Sequence, residues 1–560
     1  MWKVRNSEHK TIEDVVIANT GMSRVELEEP RAFYRVKFLN EIKDLIEKAK
    51  ECKIPTYVVG DFDLDGIASC AILWLMFKEI GITPKIRIPH RFSEGYGVSV
   101  NIVEEFPAPG LLITVDNGIV AHDAIKVAKE RGFTVVVIDH HLGDGVSIPC
   151  ADVVVDPNAI PDSADFNGYC GAGLSYKLAV EVLGETHRLI PAMLSLAAMA
   201  TVADVMPLVS ENRFIVKKGL ESLASSGKTV GMAALLEACG LTSVISAKDV
   251  GFKLGPTLNA PGRLMDDGAM KSLQLLVYNK DITEARRRAN ELIAINEERK
   301  RLKEEGLKKL EEVMSEQCLY GDAPLCIYAP DLPEGLVGIY AGSLAESYRV
   351  PCLVFTDSTE EGMLKGSGRS YGGVHLKELL DESADLLHKY GGHAAAAGVS
   401  VSKDNFEKMK ERLSEKMPEI VIDDTKFYDL EIEASQIPSV LADLEKYGPF
   451  GEGNPEPVFR IEDNTLTPVA GGFYKVMGTP AKHIRLFNRY ANAVGFDMYE
   501  KYKETKCLYD LTLYGCVAKN YFMGKASPQV ELLDFEPAVS QSIKTPLAER
   551  LAAHAKTAKK

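Results

Sequence analysis

The sequence predicts an α/β protein in which a doubly wound parallel sheet is joined by a long helix to a second α/β unit, with a β-barrel after it. Three observations predict it. Between residues 56 and 156, short apolar runs (TYVVG, PKIRI, LLITV, TVVVID, DVVVD) alternate with helical stretches such as ASCAILWLMFKEI and AHDAIKVAKERG, the pattern of a parallel sheet. From about Ile282 to Glu316 the chain runs without proline and with a single glycine, Gly306. Beyond about Thr425 the texture changes to spaced strand-like runs with turn signals, among them KFYDLEIEA, EPVFRIED, LYDLTLYGCVA and QVELLDFEP.

At 560 residues the chain is too long for one core, and about 150 residues per domain predicts three or four domains. Residues 1–50 read as an N-terminal helical segment of mixed charge. Residues 51–280 read as the first α/β domain, continuing into helices from Gly171 to about Leu183, from Ile190 to Ala203 and through much of 211–280. Residues 281–316 form the connecting helix. Residues 284–312 hold nine basic and eight acidic side chains, so it reads as a solvated helix with opposite-charge pairs. The alternative is that Arg286, Arg287, Arg288 and the cluster from Arg299 to Lys303 touch phosphates. The second α/β unit, 317–415, contains PLCIYAP, a helix from Gly338, PCLVF and KGSGRS, and closes near GGHAAAAGVSV. The spaced strands of 425–540 suggest a small barrel, and an OB-fold would suit nucleic acid. Residues 541–560 read as a basic, solvated C-terminal tail.

Composition excludes several classes. Apolar content of 46% and charged content of 26% are those of a folded soluble chain. No apolar run approaches the roughly 20 residues of a membrane span, so no membrane partner is expected. MWKVRNSEHK lacks the apolar core of a signal peptide, which predicts a cytoplasmic home. The ten cysteines are dispersed without a CxxC pair, as expected of reduced thiols rather than disulfides or zinc. A net charge of −15 argues mildly against nucleic-acid binding, yet a local basic groove can coexist with an acidic whole.

The chemistry sits at the ends of the apolar runs. Asp61, Asp63 and Asp65 stand in DFDLDG, Asp116 in LLITVDNG, Asp139, His140 and His141 in TVVVIDHH, and Asp204 in ATVADVMPL. Strand carboxyl ends converge on one crevice in an open α/β sheet, so these side chains are expected to meet. Carboxylates packed that closely repel unless cations lie between them. A binuclear divalent-metal site is the economical expectation. Imidazole among several carboxylates suits Mn²⁺, or Mg²⁺ with waters, better than Zn²⁺ or Ca²⁺.

This constellation resembles the DHH phosphoesterase superfamily. PHRFSEGYG (89–97), GPTLNAPGRL (255–264), GSGRS (366–370), GGHAAAAG (391–398) and YGPFGEGNPEPVF (447–459) follow in the order of its bacterial RecJ family of single-strand-specific 5′→3′ DNA exonucleases. The resemblance covers about residues 50–540 and identifies the two α/β units as DHH and DHHA1-type domains. It implies that Asp65, Asp116, His140 and Asp204 hold a tighter metal, while Asp61, Asp63 and a bridging Asp116 hold a second. It places His141 on the scissile phosphate and implies catalytic roles for Asp139, Asn259, Arg263 and His393. Arg91, Ser367 and Arg369 would form a pocket for a 5′-terminal phosphate, to which GSGRS brings open backbone N–H groups, a hydroxyl and a guanidinium. The sequence departs from the family at three places. Thr257 replaces the usual Arg, which implies a weakened phosphate contact. Asn117 replaces the usual Cys, expected as a packing change. Val59 stands where some members have a histidine ligand, which implies a weaker second metal.

The activity so implied is two-metal removal of 5′-mononucleotides from single-stranded DNA, in recombination and repair, by a monomer working with a helicase and a single-strand-binding protein. The barrel is expected to grip the trailing strand through Phe473, Tyr474, Phe487 and Tyr490 interleaved with Lys475, Lys482, Arg485 and Arg489. The plainer reading puts those aromatics in the barrel core. Two rivals are a phosphodiesterase acting on dinucleotides or short RNA, and a catalytically dead scaffold. The barrel and the PFGEGNPEP motif argue against the first, and the retained ligands against the second.

Overall fold

The computed structural model describes residues 2–538 except 29–33, 144, 146, 242, 243, 421, 423, 470, 471, 479, 507, 523 and 524. The tail read at 541–560 therefore lies outside the described residues. The chain forms two compact units, Arg31–Asp423 and a second made of Met1–Pro30 with Asp424–Lys560.

In the larger unit, five parallel strands lie in the order Lys85–Arg87, Thr56–Val59, Leu111–Val115, Thr134–Ile138, Val153–Val155. The two central strands are buried along their whole length, which is why they read as unbroken apolar runs. Alternation sends Val58, Ile113, Val115 and Val136 into one core, and Tyr57, Val59, Leu112 and Val135 into another on the opposite face. Strand order reverses between Thr56–Val59 and Leu111–Val115. Such a reversal opens a crevice at the strand carboxyl ends, where ligands bind in doubly wound sheets. The helices Leu64–Glu79 and Ile190–Ala203 are buried almost all round, as apolar on every face as the sequence suggested.

The long helix spans Ile282–Glu316, capped by the Asp281 carboxylate accepting from Glu284 N. Its glycine has a packing reason, since a Cβ on Gly306 would come within 2.4 Å of the buried Tyr340 hydroxyl. Beyond it a second sheet runs in the order Leu387–Gly392, Ala396–Ser402, Met363–Arg369, Cys352–Asp357, Leu325–Tyr328, with only the last pair parallel. It too has a core on each face.

The smaller unit is an OB-like seven-stranded sheet built around the hairpin of Asp510–Phe522 and Lys525–Pro537. An antiparallel bridge between Leu466 and Asn488 links its two ends. Residues 1–50, read from sequence as one helical segment, contribute to both units. Strand Trp2–Val4 pairs in parallel with Lys426–Tyr428, and Trp2 stacks on Tyr514 at 4.5 Å while its indole N–H donates to Asp534 (2.9 Å). Helix Leu39–Glu51 instead buries Leu39, Ile42, Ile46 and Ala49 in the core of the first sheet.

Candidate metal centre and phosphate site

Local structure aims the acidic groups into the crevice. The chain leaves Thr56–Val59 through Gly60 and Asp61, and Asp63 caps the next helix by accepting from Asp65 N (2.9 Å) and Gly66 N (3.3 Å). Only glycine fits at 66, because a Cβ would lie 2.4 Å from the backbone nitrogen of Asp61. Asp65 is held by the N-terminus of helix Gly171–Leu183, its two oxygens accepting from Gly171 N (2.6 Å) and Ala172 N (2.8 Å). Asp116 leaves its strand with φ of 60°, a left-handed turn that directs its carboxylate back across the sheet edge. Asp204 arrives from another direction, at the C-terminus of Ile190–Ala203.

His140 is the hub. Its Nε2 lies 3.1 Å from Asp116, 3.4 Å from Asp65 and 3.7 Å from Asp204. Asp61, Asp63 and Asp116 form an adjoining group whose ligand atoms lie within 4.8 Å of one another. These side chains come from four separated segments, and three overlapping groups each bring their ligand atoms close enough to hold a cation: Asp65, His140 and Asp204; Asp116, His140 and His141; and Asp61, Asp63 and Asp116. Asp139 faces the other way. Its carboxylate accepts from Ile119 N, His140 N and His141 N and pairs with His141 Nδ1 at 2.8 Å, so it braces the histidine turn.

Without cations the cluster is short of positive charge. Burial, and then the neighbouring Asp65 and Asp63, push Asp204 up to about 8. Burial and the same neighbours hold Asp116 well above the carboxylate range, and burial with Asp63 does so for Asp61. One Asp61 oxygen is buried without a partner. Burial keeps the His140 imidazole neutral-leaning, a ready ligand. Burial opposes charge on His141 as well, but its hydrogen bond to Asp139 and the surrounding carboxylates outweigh this and raise it to about 9. The donor set therefore suits hard divalent cations.

A cluster of arginines lies in the same unit. Arg91 stacks over Phe62 at 4.3 Å, and its loop is tied to Asp266 at the end of the Arg263 helix, through Arg91 N (3.2 Å) and Phe92 N (2.7 Å). Arg263 Nη1 reaches Gly335 O at 3.4 Å. Burial, with Arg91 close by, lowers its guanidinium to about 10. Ser367 and Arg369 meet on one strand, Nη1 to Oγ at 3.1 Å, and Gly338 opens the space above them, where a Cβ would stand 3.0 Å from the guanidinium. Asn259 shares a helix face with Arg263, and its Oδ1 is buried without a partner. His393 instead sits in an exposed hairpin turn with Nδ1 accepting from Ala395 N.

The three departures resolve differently. Asn117 does more than pack, since it accepts from Val98 N and donates to Val59 O and Val115 O, bracing the two central strands. Val59 lies in the apolar core. Thr257 is buried and bonded, its hydroxyl donating to Lys253 O (2.7 Å) and accepting from Asn296 Nδ2 (3.1 Å), so it meets no ligand.

Two contributors escaped the sequence reading, and a third was weighed there only as one of a charge cluster. The Tyr96 hydroxyl donates to Asp116 O (2.8 Å) and faces His141 Nδ1 (3.2 Å). Asn158 donates to His140 O, while Asp156 holds Asn158 N and Ala159 N. Arg299 turns inward from the long helix toward Arg263. Spacing offered a clue to the last, because Ile295, Asn296, Leu302 and Lys303 surround Arg299 on its helix and none is acidic. Of the four aromatics expected to grip a strand, only Tyr490 is exposed, with Arg489 over its ring at 5.8 Å. Tyr474 packs on Tyr502 (5.1 Å), and Phe473 and Phe487 are half-buried. Phe496, not singled out, is 67% exposed beside His483.

Three family models match the chain: the DHH family N-terminal domain over residues 55–201, the DHHA1 domain over 322–419 and the RecJ OB domain over 428–534. The chain is 36% identical to the single-stranded-DNA-specific exonuclease RecJ of Escherichia coli, over 72% of this chain and 74% of that one. It resembles the crystal structure of RecJ in complex with Mn²⁺ from Thermus thermophilus, with a TM-score of 0.76 and 29% identity, over 96% of this chain and 79% of that one. The same enzyme's complex with Mg²⁺ matches at a TM-score of 0.69 and 27% identity, over 96% and 78%.

Proposed function

The chain belongs to the RecJ family of single-stranded-DNA-specific exonucleases, and on that premise we propose a divalent-metal-dependent 5′→3′ exonuclease that releases 5′-mononucleotides from single-stranded DNA. The observation that carries it is the meeting of Asp61, Asp63, Asp65, Asp116, His140 and Asp204 around one charge-starved crevice at the sheet's switch point. Asp65, Asp116, His140 and Asp204 would hold one Mn²⁺ or Mg²⁺, and Asp61, Asp63 and Asp116 the other. When bound, such cations offset charge on phosphate oxygens and make water a better nucleophile. The chain's own residues do the rest. Asp139, 2.8 Å from His141 Nδ1, fixes the ring so that its other nitrogen would donate to an oxygen of the scissile phosphate. Arg263 and Asn259 bear on the same group from the facing helix, with His393 at the cleft's outer turn. Arg91, Ser367 and Arg369 hold the 5′-terminal phosphate, the guanidinium fork matching its oxygens.

The working division is a DHH domain over 51–280, a connecting helix over 281–316, a DHHA1-type domain over 317–415 and an OB domain over 425–540. Residues 1–50 and 541–560 are its N-terminal segment and basic tail. The OB domain grips the trailing strand. The role is in DNA recombination and repair in the cytoplasm, as a monomer. A single-strand substrate calls for a helicase and a single-strand-binding protein as partners. No described helix is long and apolar enough to cross a membrane.

The deciding assay compares a long 5′-phosphorylated oligonucleotide with a dinucleotide, in Mn²⁺ and in chelator. Mononucleotides are expected from the long strand only, and none with chelator. Preferential hydrolysis of the dinucleotide would favour a short-substrate phosphodiesterase instead. A second expected result concerns the end pocket. A charge-assisted bidentate contact contributes about 1.5–3 kcal/mol, roughly tenfold to a hundredfold in affinity. A 5′-phosphorylated strand is thus expected to outcompete a 5′-hydroxyl strand, and Arg369→Ala to erase the preference. Equal competition in the unaltered protein would remove the pocket.

A further inference from the structure

The long helix carries five arginines, and four of them are neutralised. Arg287 and Arg288 pair with Glu284, Arg301 with Glu298 and Glu305, and Arg286 with Glu237 of a neighbouring helix. Arg299 makes no ion pair among the described residues. It is half-buried, and burial disfavours its charge. Its Nε donates to Asn296 Oδ1 at 2.9 Å, and Asn296 is itself fixed by donating to the Thr257 hydroxyl at 3.1 Å. Asn296 is 5% exposed and Thr257 2% exposed, so the guanidinium is held on a rigid, buried base. With Nε taken, the two terminal nitrogens remain to donate. Arg263, on the helix to which Thr257 belongs, is close enough for the two positive charges to oppose each other. Arg299 thus presents two terminal donors, paired with no carboxylate among the described residues, from a buried base bonded to the Arg263 helix, an arrangement suited to an anion.

We propose that Arg299, positioned by Asn296, binds an internucleotide phosphate of the single strand together with Arg263, a contact separate from the end pocket of Ser367 and Arg369. The anion is a phosphodiester because Asn296 bonds through Thr257 to the helix that carries Arg263 and Asn259, the residues that the nuclease reading sets against the strand. This inference rests on the nuclease reading above.

The test is binding of a long oligonucleotide by fluorescence anisotropy across a salt series in chelator, with turnover in Mn²⁺ measured alongside. Arg299→Gln is expected to weaken binding about tenfold and to flatten the slope of log affinity against log salt by about 0.7, the loss of one single-strand phosphate contact. The preference for a 5′-phosphate over a 5′-hydroxyl is expected to remain intact. Arg299→Lys, which keeps the charge and the aliphatic stem, guards against a folding defect and is expected to restore the slope but not the full affinity. Arg301→Gln, which removes a carboxylate-paired arginine two residues on, is expected to change neither quantity. An unchanged slope for Arg299→Gln, an equal effect of Arg301→Gln, or loss of the 5′-phosphate preference would each overturn the proposal. If the unaltered protein binds the strand but releases no nucleotide, the nuclease reading fails and the phosphate contact stands. If it releases nucleotides and Arg299→Gln matches it throughout, only the contact fails.

Discussion

Asp204→Ala is expected to lower nucleotide release in Mn²⁺ or Mg²⁺ by about a thousandfold or more, and at the same time to leave the metal-free protein folded and more stable at mildly alkaline pH. The first effect follows from the place of Asp204 in the proposed site. It is a carboxylate beside His140 and Asp65, and loss of one ligand forfeits several kcal/mol of the charge stabilisation that a bound cation supplies, at about 1.4 kcal/mol per decade of rate. The second follows from its charge. Burial and the neighbouring Asp65 and Asp63 raise Asp204 from 3.8 to about 8 in the metal-free fold. A carboxyl raised in the folded state binds its proton more tightly there than in the unfolded chain. It therefore takes stability away as pH rises from about 4 through about 8, and none below about 4. Alanine has no such group, so the variant's advantage is expected to grow through that window and to vanish at its acid end. Added Mn²⁺ reverses the order, because it stabilises the unaltered protein by mass action and the variant less. Thermal unfolding of both proteins at several pH values, with and without Mn²⁺, together with turnover, checks all three statements. Near-normal turnover by Asp204→Ala would remove it from the site.

The centre was legible in the sequence for a physical reason. A strand buried on both faces must be apolar throughout, so a carboxylate where it stops stands out, and parallel topology sends all such ends to one edge. Asp116, His140 and the DFDLDG carboxylates were visible on that ground alone. Tyr96 and Asn158 were not, because each acts on a backbone carbonyl, of Asp116 and of His140, and no spacing of side chains announces such a bond. Arg299 and Arg301 look alike in a charge count, yet one is surrounded on its helix by Ile295, Asn296, Leu302 and Lys303 and the other by Glu297, Glu298, Glu304 and Glu305. The strand Trp2–Val4 is three residues long and finds its partner more than four hundred residues away, too short for any periodicity to show. In the OB-like unit, alternation could not tell a core aromatic from a solvent-facing one where strands are four residues long. Tyr474 packs against Tyr502 and Phe496 faces outward.

The apparent affinity for Mn²⁺ is expected to fall by about fiftyfold between pH 8 and pH 6. A cation binds the carboxylates, not the carboxylic acids, so any proton resident in the empty site must leave as the metal enters. In the metal-free fold, burial and neighbouring carboxylates hold Asp204 at about 8 and keep Asp116 and Asp61 well above the ordinary range. Asp204 alone is thus half protonated at the top of the interval and protonated through the rest of it, and displacing its proton makes affinity rise about tenfold per pH unit below about 8. His140 adds less to this slope than an ordinary imidazole would, because burial lowers its value. A site of ordinary carboxylates, with values near 4, would instead bind equally well at both ends of the interval. Calorimetric titration with Mn²⁺ at pH 6, 7 and 8, in two buffers of different ionisation enthalpy, gives both the affinity and the number of protons released. One or more protons per site and a steep slope are the expected result. A flat profile with no proton release would mean that the carboxylates are already ionised without metal, and the charge-starved crevice on which the site assignment rests would not exist.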